Sequence, residues 1–582
     1  MTRLRHRHSR RAWRRVGPSI AAFAVCAAIL SGLLPLLLVR EVPDEGRSAG
    51  WYLTGPIIVW AGIRLSYRVV DGRPKLFDFI FWLFTYIFLG LAPTAQIRSG
   101  QLSTTTPGMH PALDVPTATV VWLGLIAYES GRWLGRRRRR RRIDPPEIPG
   151  DAVDGRRAVA VALVGLVAAA YYVSKIGVGT LFMSRYSSFD IRSAALPDLA
   201  VRSIVMAAAS YPLLIASGAF ARLRAAAGSR GNHYALALLV TVPVLLVVVN
   251  PISSARYDFG TVGFALVVLA GAMATRRRSR LSLVATLVAF LFVFPLADAF
   301  RTDVVNLDRG GFFAEYMNNP DYDAFWQIAN TVSYLRDVGL KPGMQALGVL
   351  FFWVPRAVWP GKSVDTGVLL ADYRGYTFDN LSAPLWAELL INGGVALLLV
   401  GFLAIGWLLY RFDVRVATAL TGTGQLWSVV GAVFPFYMVI LLRGSLLQAT
   451  GTLAVSVACV LAVRAPARRT RLGPRTQARS RERVSRTSPY TATRRPATAS
   501  MLRRSRVRAA PASPIRRAAV GSASSARTAS TRASSPSSVT MPLPLSRISG
   551  ASPHDSVTTT GRPSAIASRT DMGKGSSIEG ST

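Results

Sequence analysis

Apolar and polar positions in this chain alternate in long blocks, not with the short periods of a soluble core. Twelve apolar runs stand out, at roughly 18–39, 50–67, 76–93, 114–131, 156–175, 201–220, 233–249, 259–274, 281–297, 384–408, 425–442 and 445–463. Most are long enough for a hydrocarbon core of about 30 Å. In lipid every backbone N–H and C=O must be satisfied within its own segment, so these runs predict helices. The expected fold class is an all-α polytopic membrane protein with about 12 transmembrane helices. The run from Pro18 to Val39 follows an Arg-rich start and has no small-residue cleavage pattern, so it reads as the first membrane helix.

The breaks between runs are short, with one exception. Residues 298–383 form a long loop in which charged and aromatic residues are interleaved. A loop of that length predicts internal structure. Residues 320–338 fit a surface helix resting on the membrane interface or on the bundle. Asn319 can cap it, Pro320 suits its first position, and Phe325, Ile328, Ala329, Val332 and Leu335 recur at helical spacing. On such a helix Asp321 and Asp323 face about 200° apart, which argues against one shared metal ion. Gly343–Val354 is apolar but too short to span, and reads as a re-entrant or interfacial helix stopped by Pro355.

Charge supports this layout. The net charge of +39 over 582 residues suggests nucleic acid, but the distribution points to membrane topology. With the N-terminus inside, the inner loops receive Arg68, Arg73 and Lys75; the seven arginines from Arg136 to Arg142; Arg222, Arg224 and Arg230; Arg276–Arg280; and Arg411 and Arg415. Basic residues are retained on the cytoplasmic side, so both termini are expected inside. Arg64, near the inner end of the second run, is expected to snorkel to the interface. Residues 465–582 hold 22 Lys/Arg against 4 Asp/Glu and few large apolar side chains, which predicts a disordered tail. The organisation is then a basic cytoplasmic N-terminus (1–17), a bundle (18–464) with the outer loop 298–383, and the tail. No aromatic pattern accompanies the basic residues, so no nucleic-acid partner is expected. Cys26 and Cys459 are the only cysteines, each in an apolar run, which excludes a disulfide framework or a cysteine metal site. No cofactor or metal is expected.

Candidate chemistry gathers on the predicted outer side. Guanidinium groups keep their charge and can grip phosphate through two parallel bonds. Arg256 follows the turn Asn250-Pro251-Ile252-Ser253-Ser254, Arg443 joins the last two runs, and Arg356 and Lys362 lie in Val354-Pro355-Arg356-Ala357-Val358-Trp359-Pro360-Gly361-Lys362. Arg301 and Arg185 lie on the same side. Glu388 falls one turn inside the tenth run, where a carboxylate is costly unless paired or hydrated, so it is a functional candidate by default.

Several stretches resemble bacterial oligosaccharide repeat-unit polymerases of the O-antigen polymerase type. They are Asn250–Arg256; Phe294-Pro295-Leu296-Ala297-Asp298-Ala299-Phe300-Arg301; Tyr322-Asp323-Ala324-Phe325; Val354–Lys362; Ser382-Ala383-Pro384 through Asn392-Gly393-Gly394; and Arg443-Gly444-Ser445, across roughly residues 170–460. Arg356 and Gly367 match that family's spacing of an arginine, ten residues and a glycine, whereas Arg185 and Arg192 begin no such pattern. The resemblance implies a multi-pass plasma-membrane enzyme that transfers a growing glycan from undecaprenyl diphosphate to a new repeat unit at the outer face. On that expectation Arg356, Glu388, Asp323 and Asp365 are catalytic. Arg256, Arg443, Lys362, Arg301 and Arg185 bind the diphosphate, and Trp359, Tyr376 and Trp386 contact sugar. Undecaprenyl-diphosphate-linked oligosaccharides and membrane lipid are the expected partners, with a repeat-unit flippase and a chain-length regulator beside them. A ligase of similar topology is the alternative, but it would carry an external histidine in the main loop, and the only outer histidine here is His110. A transporter would instead place ionisable groups or broken helices near mid-membrane, whereas the charges here crowd at the outer ends.

Overall fold

A computed structural model describes residues 20–140, 151–197, 199–293, 312–379 and 381–466, all within one compact unit, Met1–Thr476. The predicted tail, the N-terminal segment 1–17 and the stretch 294–311 that includes Arg301 lie outside the described residues.

The described chain is all-α. Its only extended pairing is an isolated bridge between Val153 and Arg464. In chain order the helices are α1 Ile20–Glu41, α2 Trp51–Asp71, α3 Leu76–Ser99, α4 Asp114–Arg140, α5 Gly155–Ile176, α6 Arg185–Ala195, α7 Leu199–Ala227 and α8 Asn232–Val248. They continue with α9 Arg256–Val267, α10 Arg276–Val288, α11 Ala324–Asp337, α12 Met344–Leu350, α13 Thr366–Arg374, α14 Leu385–Leu420, α15 Leu426–Arg443 and α16 Leu446–Val463. Among the described residues, eight helices are long and apolar enough to cross a membrane: α1, α3, α4, α5, α7, α14, α15 and α16. Helices also form at the other four expected spans, α2, α8, α9 and α10, but these are shorter or less apolar. The protein is a multi-pass, all-α membrane protein.

The centre of the bundle is α3, buried along its whole apolar length. Phe81 stacks on Tyr128 of α4, with ring centroids 3.6 Å apart. The tenth expected span departs from a single rod. A straight helix rises 1.5 Å per residue, which would put residues 386 and 402 about 24 Å apart. The rings of Trp386 and Phe402 lie 4.3 Å apart instead, and a Cβ on Gly401 would meet Leu389 at 2.8 Å. The chain therefore doubles back at Gly393–Gly394, where Gly394 adopts φ +59°, a conformation that other residues reach only with strain. Residues 385–392 form a re-entrant arm, and the span proper begins after the glycines.

The loop also packs into the bundle. Residues 320–338 do not form one helix: Pro320–Tyr322 is a 3-10 turn capped by Asn319, and α11 starts at Ala324. Phe325, Trp326, Ile328 and Ala329 are all fully buried, so α11 is enclosed by the bundle, not laid on a membrane surface. Gly343–Val354 yields only the seven-residue α12. Asn392 at the fold-back holds it, its side-chain oxygen accepting from Ala346 N at 2.7 Å and its carbonyl from Gly343 N at 2.9 Å. Leu350, Phe351, Trp353 and Val358 stay exposed after it, an apolar surface suited to lipid.

Charges do not crowd at one end only. Opposite the long loop, α2, α3, α4 and α14 meet at Asp78. Arg132 bridges Asp78 at 2.9 Å and Asp413 at 3.4 Å, Arg68 donates to Asp78, and Tyr128 adds a bond at 3.2 Å. Asp413 also accepts from Phe77 N and Asp78 N, capping the start of α3. Arg64 does not snorkel: it pairs with Glu129 at 2.5 Å and lies over Trp82. The network fastens four helices to one another. Breaking a buried pair from one side strands the other charge, at a cost of about 3–5 kcal/mol. Asp78→Asn is therefore expected to lower the thermal midpoint of detergent-solubilised protein sharply. Arg73→Gln, at an exposed neighbour, should leave it unchanged.

Candidate functional site

Two clusters meet on the two-residue turn, Gly444–Ser445, that joins α15 to α16. The first is cationic. Arg256, the first residue of α9, bridges Asp321 at 2.9 Å. Arg443, the last of α15, bridges Asp321 at 3.4 Å and Asp323 at 3.1 Å, and donates to the backbone oxygens of Asp321 and Pro320. The tight turn Pro320–Tyr322 brings both aspartates onto one guanidinium, correcting the expectation that they point apart. Ser382 donates to Asp323 at 2.9 Å, and Thr105 reaches the same carboxylate at 3.4 Å.

The second cluster is acidic. Glu388 lies on the re-entrant arm, only 1% exposed. It accepts from the Thr366 hydroxyl at 3.0 Å, the Ser445 hydroxyl at 3.1 Å and Leu446 N at 2.9 Å. No ion pair forms to it among the described residues, so neutral donors alone hold a buried carboxyl. Asp365 caps α13 through Gly367 N at 2.8 Å. Its second oxygen, Oδ2, is buried without a hydrogen-bond partner, the Ser445 hydroxyl being committed to Glu388. Burial raises the Asp365 carboxyl above the usual aspartate range. Ser445 thus touches the acidic cluster two residues from the guanidinium of the cationic one.

The raised Asp365 carboxyl has a pH consequence. If it takes part in proton transfer, activity falls as acid protonates it, at a pH above the ordinary aspartate value of about 3.9. Its folded form also holds a proton more readily than its unfolded form, so its contribution to stability weakens as pH rises from that value through the raised one. Asp365→Asn should remove its share of the acid limb of the rate profile and leave the share set by Glu388, a change that a pH titration of initial rates would register.

The other expected site residues divide. Arg356 is exposed and donates to the carbonyls of Lys362 at 2.9 Å and Ser363 at 3.3 Å, not to either cluster. Lys362 donates to the carbonyls of Phe352 and Val354, so the pair ties the loop that leads into Asp365. Trp359 packs edge-on against Phe351. Tyr376 stacks on Phe378 and donates to the Pro107 carbonyl at 2.9 Å. Trp386 is not placed to contact sugar: it is fully buried, its indole N–H donates to Val121 O, and it fits against Gly124, where a Cβ would collide with it. Arg185 opens α6 behind a Ser184 cap and shares electrostatic reach of Tyr257 with Arg443. His110 only caps the short turn before α4.

Sequence reasoning missed Ser445 and Thr366 as the donors on Glu388, and the Asp78–Arg132–Asp413 network altogether. An ionisable residue inside a span is a flag by itself, and Asp78 in the run 76–93 carries it, but the run boundaries at 131 and 408 leave its partners Arg132 and Asp413 just outside. Among the described residues no three His, Cys, Asp or Glu side chains gather as a metal site. No family model, curated protein or solved structure matches this chain.

Proposed function

We propose that the protein is an outer-face glycosyltransferase that polymerises oligosaccharide repeat units carried on undecaprenyl diphosphate. One observation carries the reading: two arginines from different helices meet at the loop-bearing end of the bundle, and Ser445, two residues from one of them, holds a buried glutamate. A glycosyl diphosphate needs those two kinds of group close together. The charge pattern of the loops, read with twelve spans and both termini inside, supports an extracytoplasmic position for that end.

In the proposed reaction the acceptor hydroxyl oxygen forms a bond to the anomeric carbon of the donor glycan. The bond from that carbon to the diphosphate oxygen breaks, and the diphosphate leaves with the electron pair. Arg443 and Arg256 meet the charge that grows on it, more strongly in the transition state than before. Asp321 and Asp323 hold the guanidiniums aimed and offset their charge until the anion arrives, and phosphate oxygens then take their place. Glu388 receives the acceptor's proton, with Asp365 beside it. The exposed apolar stretch after α12 rests against lipid, where the polyprenyl chain lies.

Arg356 acts in this scheme as a positioning residue, through the backbone it ties. Arg356→Ala is expected to shorten the polymer on its lipid carrier only modestly, within about tenfold in rate, as for a lost hydrogen bond or two of roughly 1 kcal/mol each. Chain lengths on gels, compared with those of Arg443→Lys, test the division. An Arg356 variant as dead as the Arg443 variant would return Arg356 to the reacting centre.

A further inference from the structure

Beside the acidic cluster lies a cavity of about 170 Å³ that neither cluster occupies. Its apolar wall includes Tyr334, Leu369 and Ile391, and its polar lining is Lys341, Gln345 and Ser363. One water needs about 10–15 Å³ of such space, so the cavity has room for a body the size of a sugar ring. Its polar groups are unspent. The Ser363 hydroxyl is buried without a hydrogen-bond partner, and the amide of Gln345, 9% exposed, makes no hydrogen bond among the described residues. Leaving the Ser363 hydroxyl dry is costly unless a ligand satisfies it. Gly348 is what lets Ser363 sit there, because a Cβ at that position would collide with its oxygen.

The cavity belongs to the site by its connections. Ser363 precedes Asp365 by two residues, and Ile391 follows Glu388 by one helical turn on the re-entrant arm. The chain thus links the cavity's lining to the segments that carry both carboxyls. Lys341 supplies a cation at the rim, which neutral hydroxyls do not require.

Resting on the glycosyltransferase reading, we infer that this cavity is the acceptor subsite and that it takes a sugar ring bearing a carboxylate. Ser363 and Gln345 bond its hydroxyls, the tyrosine and aliphatic wall lies along its C–H face, and Lys341 pairs with the carboxylate. A uronic acid in the incoming repeat unit is the substrate class that meets this chemistry.

The test uses the full-length protein in lipid nanodiscs with free glucuronate and free glucose as probes, read by saturation-transfer NMR. Glucuronate is expected to bind more tightly than glucose. Lys341→Gln should weaken glucuronate about tenfold, the size of one charge-assisted contact of roughly 1.5 kcal/mol, and leave glucose unchanged. Ser363→Leu should abolish both by filling the cavity, while an unaltered thermal midpoint shows that the variant is folded. Arg443→Lys should bind both sugars as the wild type does. Equal affinity for the two sugars, no binding of either, or glucuronate binding that survives Ser363→Leu would overturn the assignment. Polymerisation activity in membranes is measured separately, so loss of the acceptor subsite and loss of the transferase reading give different patterns.

Discussion

Glu388→Gln slows glycan transfer by roughly 10²–10⁴-fold, the usual span for a lost general base, while the protein stays folded. The second half of that expectation follows from the hydrogen bonds. A carboxamide keeps an oxygen for Ser445 and Leu446 N, and its NH2 can donate to the Thr366 hydroxyl, which then accepts where it had donated, so all three contacts remain. The substitution also removes a charge from a site with no ion pair to offset it among the described residues, so the thermal midpoint should hold or rise. Elongation rate on the lipid carrier and thermal unfolding, measured on the same preparation, separate chemistry from folding. An unchanged rate would remove Glu388 from the mechanism.

Arg443→Ala lowers transfer by roughly 10²–10³-fold, the range seen when one donor to a developing charge is lost. This variant also strands Asp323, while Asp321 keeps Arg256, so part of the loss is structural. Arg443→Lys resolves that ambiguity. Lysine keeps the positive charge beside both aspartates but has no planar fork to offer two phosphate oxygens. It should fold normally and still lose most of the turnover, with the defect in kcat more than in KM. A lysine variant with wild-type kcat would confine Arg443 to holding the loop.

Much of this architecture was legible in the chain because lipid leaves few options. Uncharged runs must be helical, and arginines gather on one side, so helices form at all twelve positions expected, eight of them long and apolar enough to span. What escaped was geometry that hydropathy cannot see. The doubling back at Gly393–Gly394 leaves an apolar run looking continuous, because the arm 385–392 is mostly apolar despite Glu388 and Asn392. The paired glycines were the only local sign. Likewise the 3-10 turn at Pro320 places Asp321 and Asp323 together, whereas helical spacing places them apart. Residue types told more than positions at the site itself. Charge at the ends of apolar runs points to Arg256, Arg443 and Glu388, and the implied transfer chemistry adds Asp323 and Asp365 from the loop; the structure sets them in two clusters that meet at Gly444–Ser445. Arg356 was singled out by the same logic, yet its donors go to its own loop, because two prolines and a glycine there leave carbonyls that need a partner.

The most direct measurement is transfer by the purified full-length protein, reconstituted in liposomes with a undecaprenyl-diphosphate-linked repeat unit. The expected result is a ladder of longer glycans, with one undecaprenyl diphosphate released for each unit added. Both should vanish in Glu388→Gln. A folded, reconstituted protein that leaves the lipid-linked unit intact and releases no diphosphate carrier would contradict the proposal.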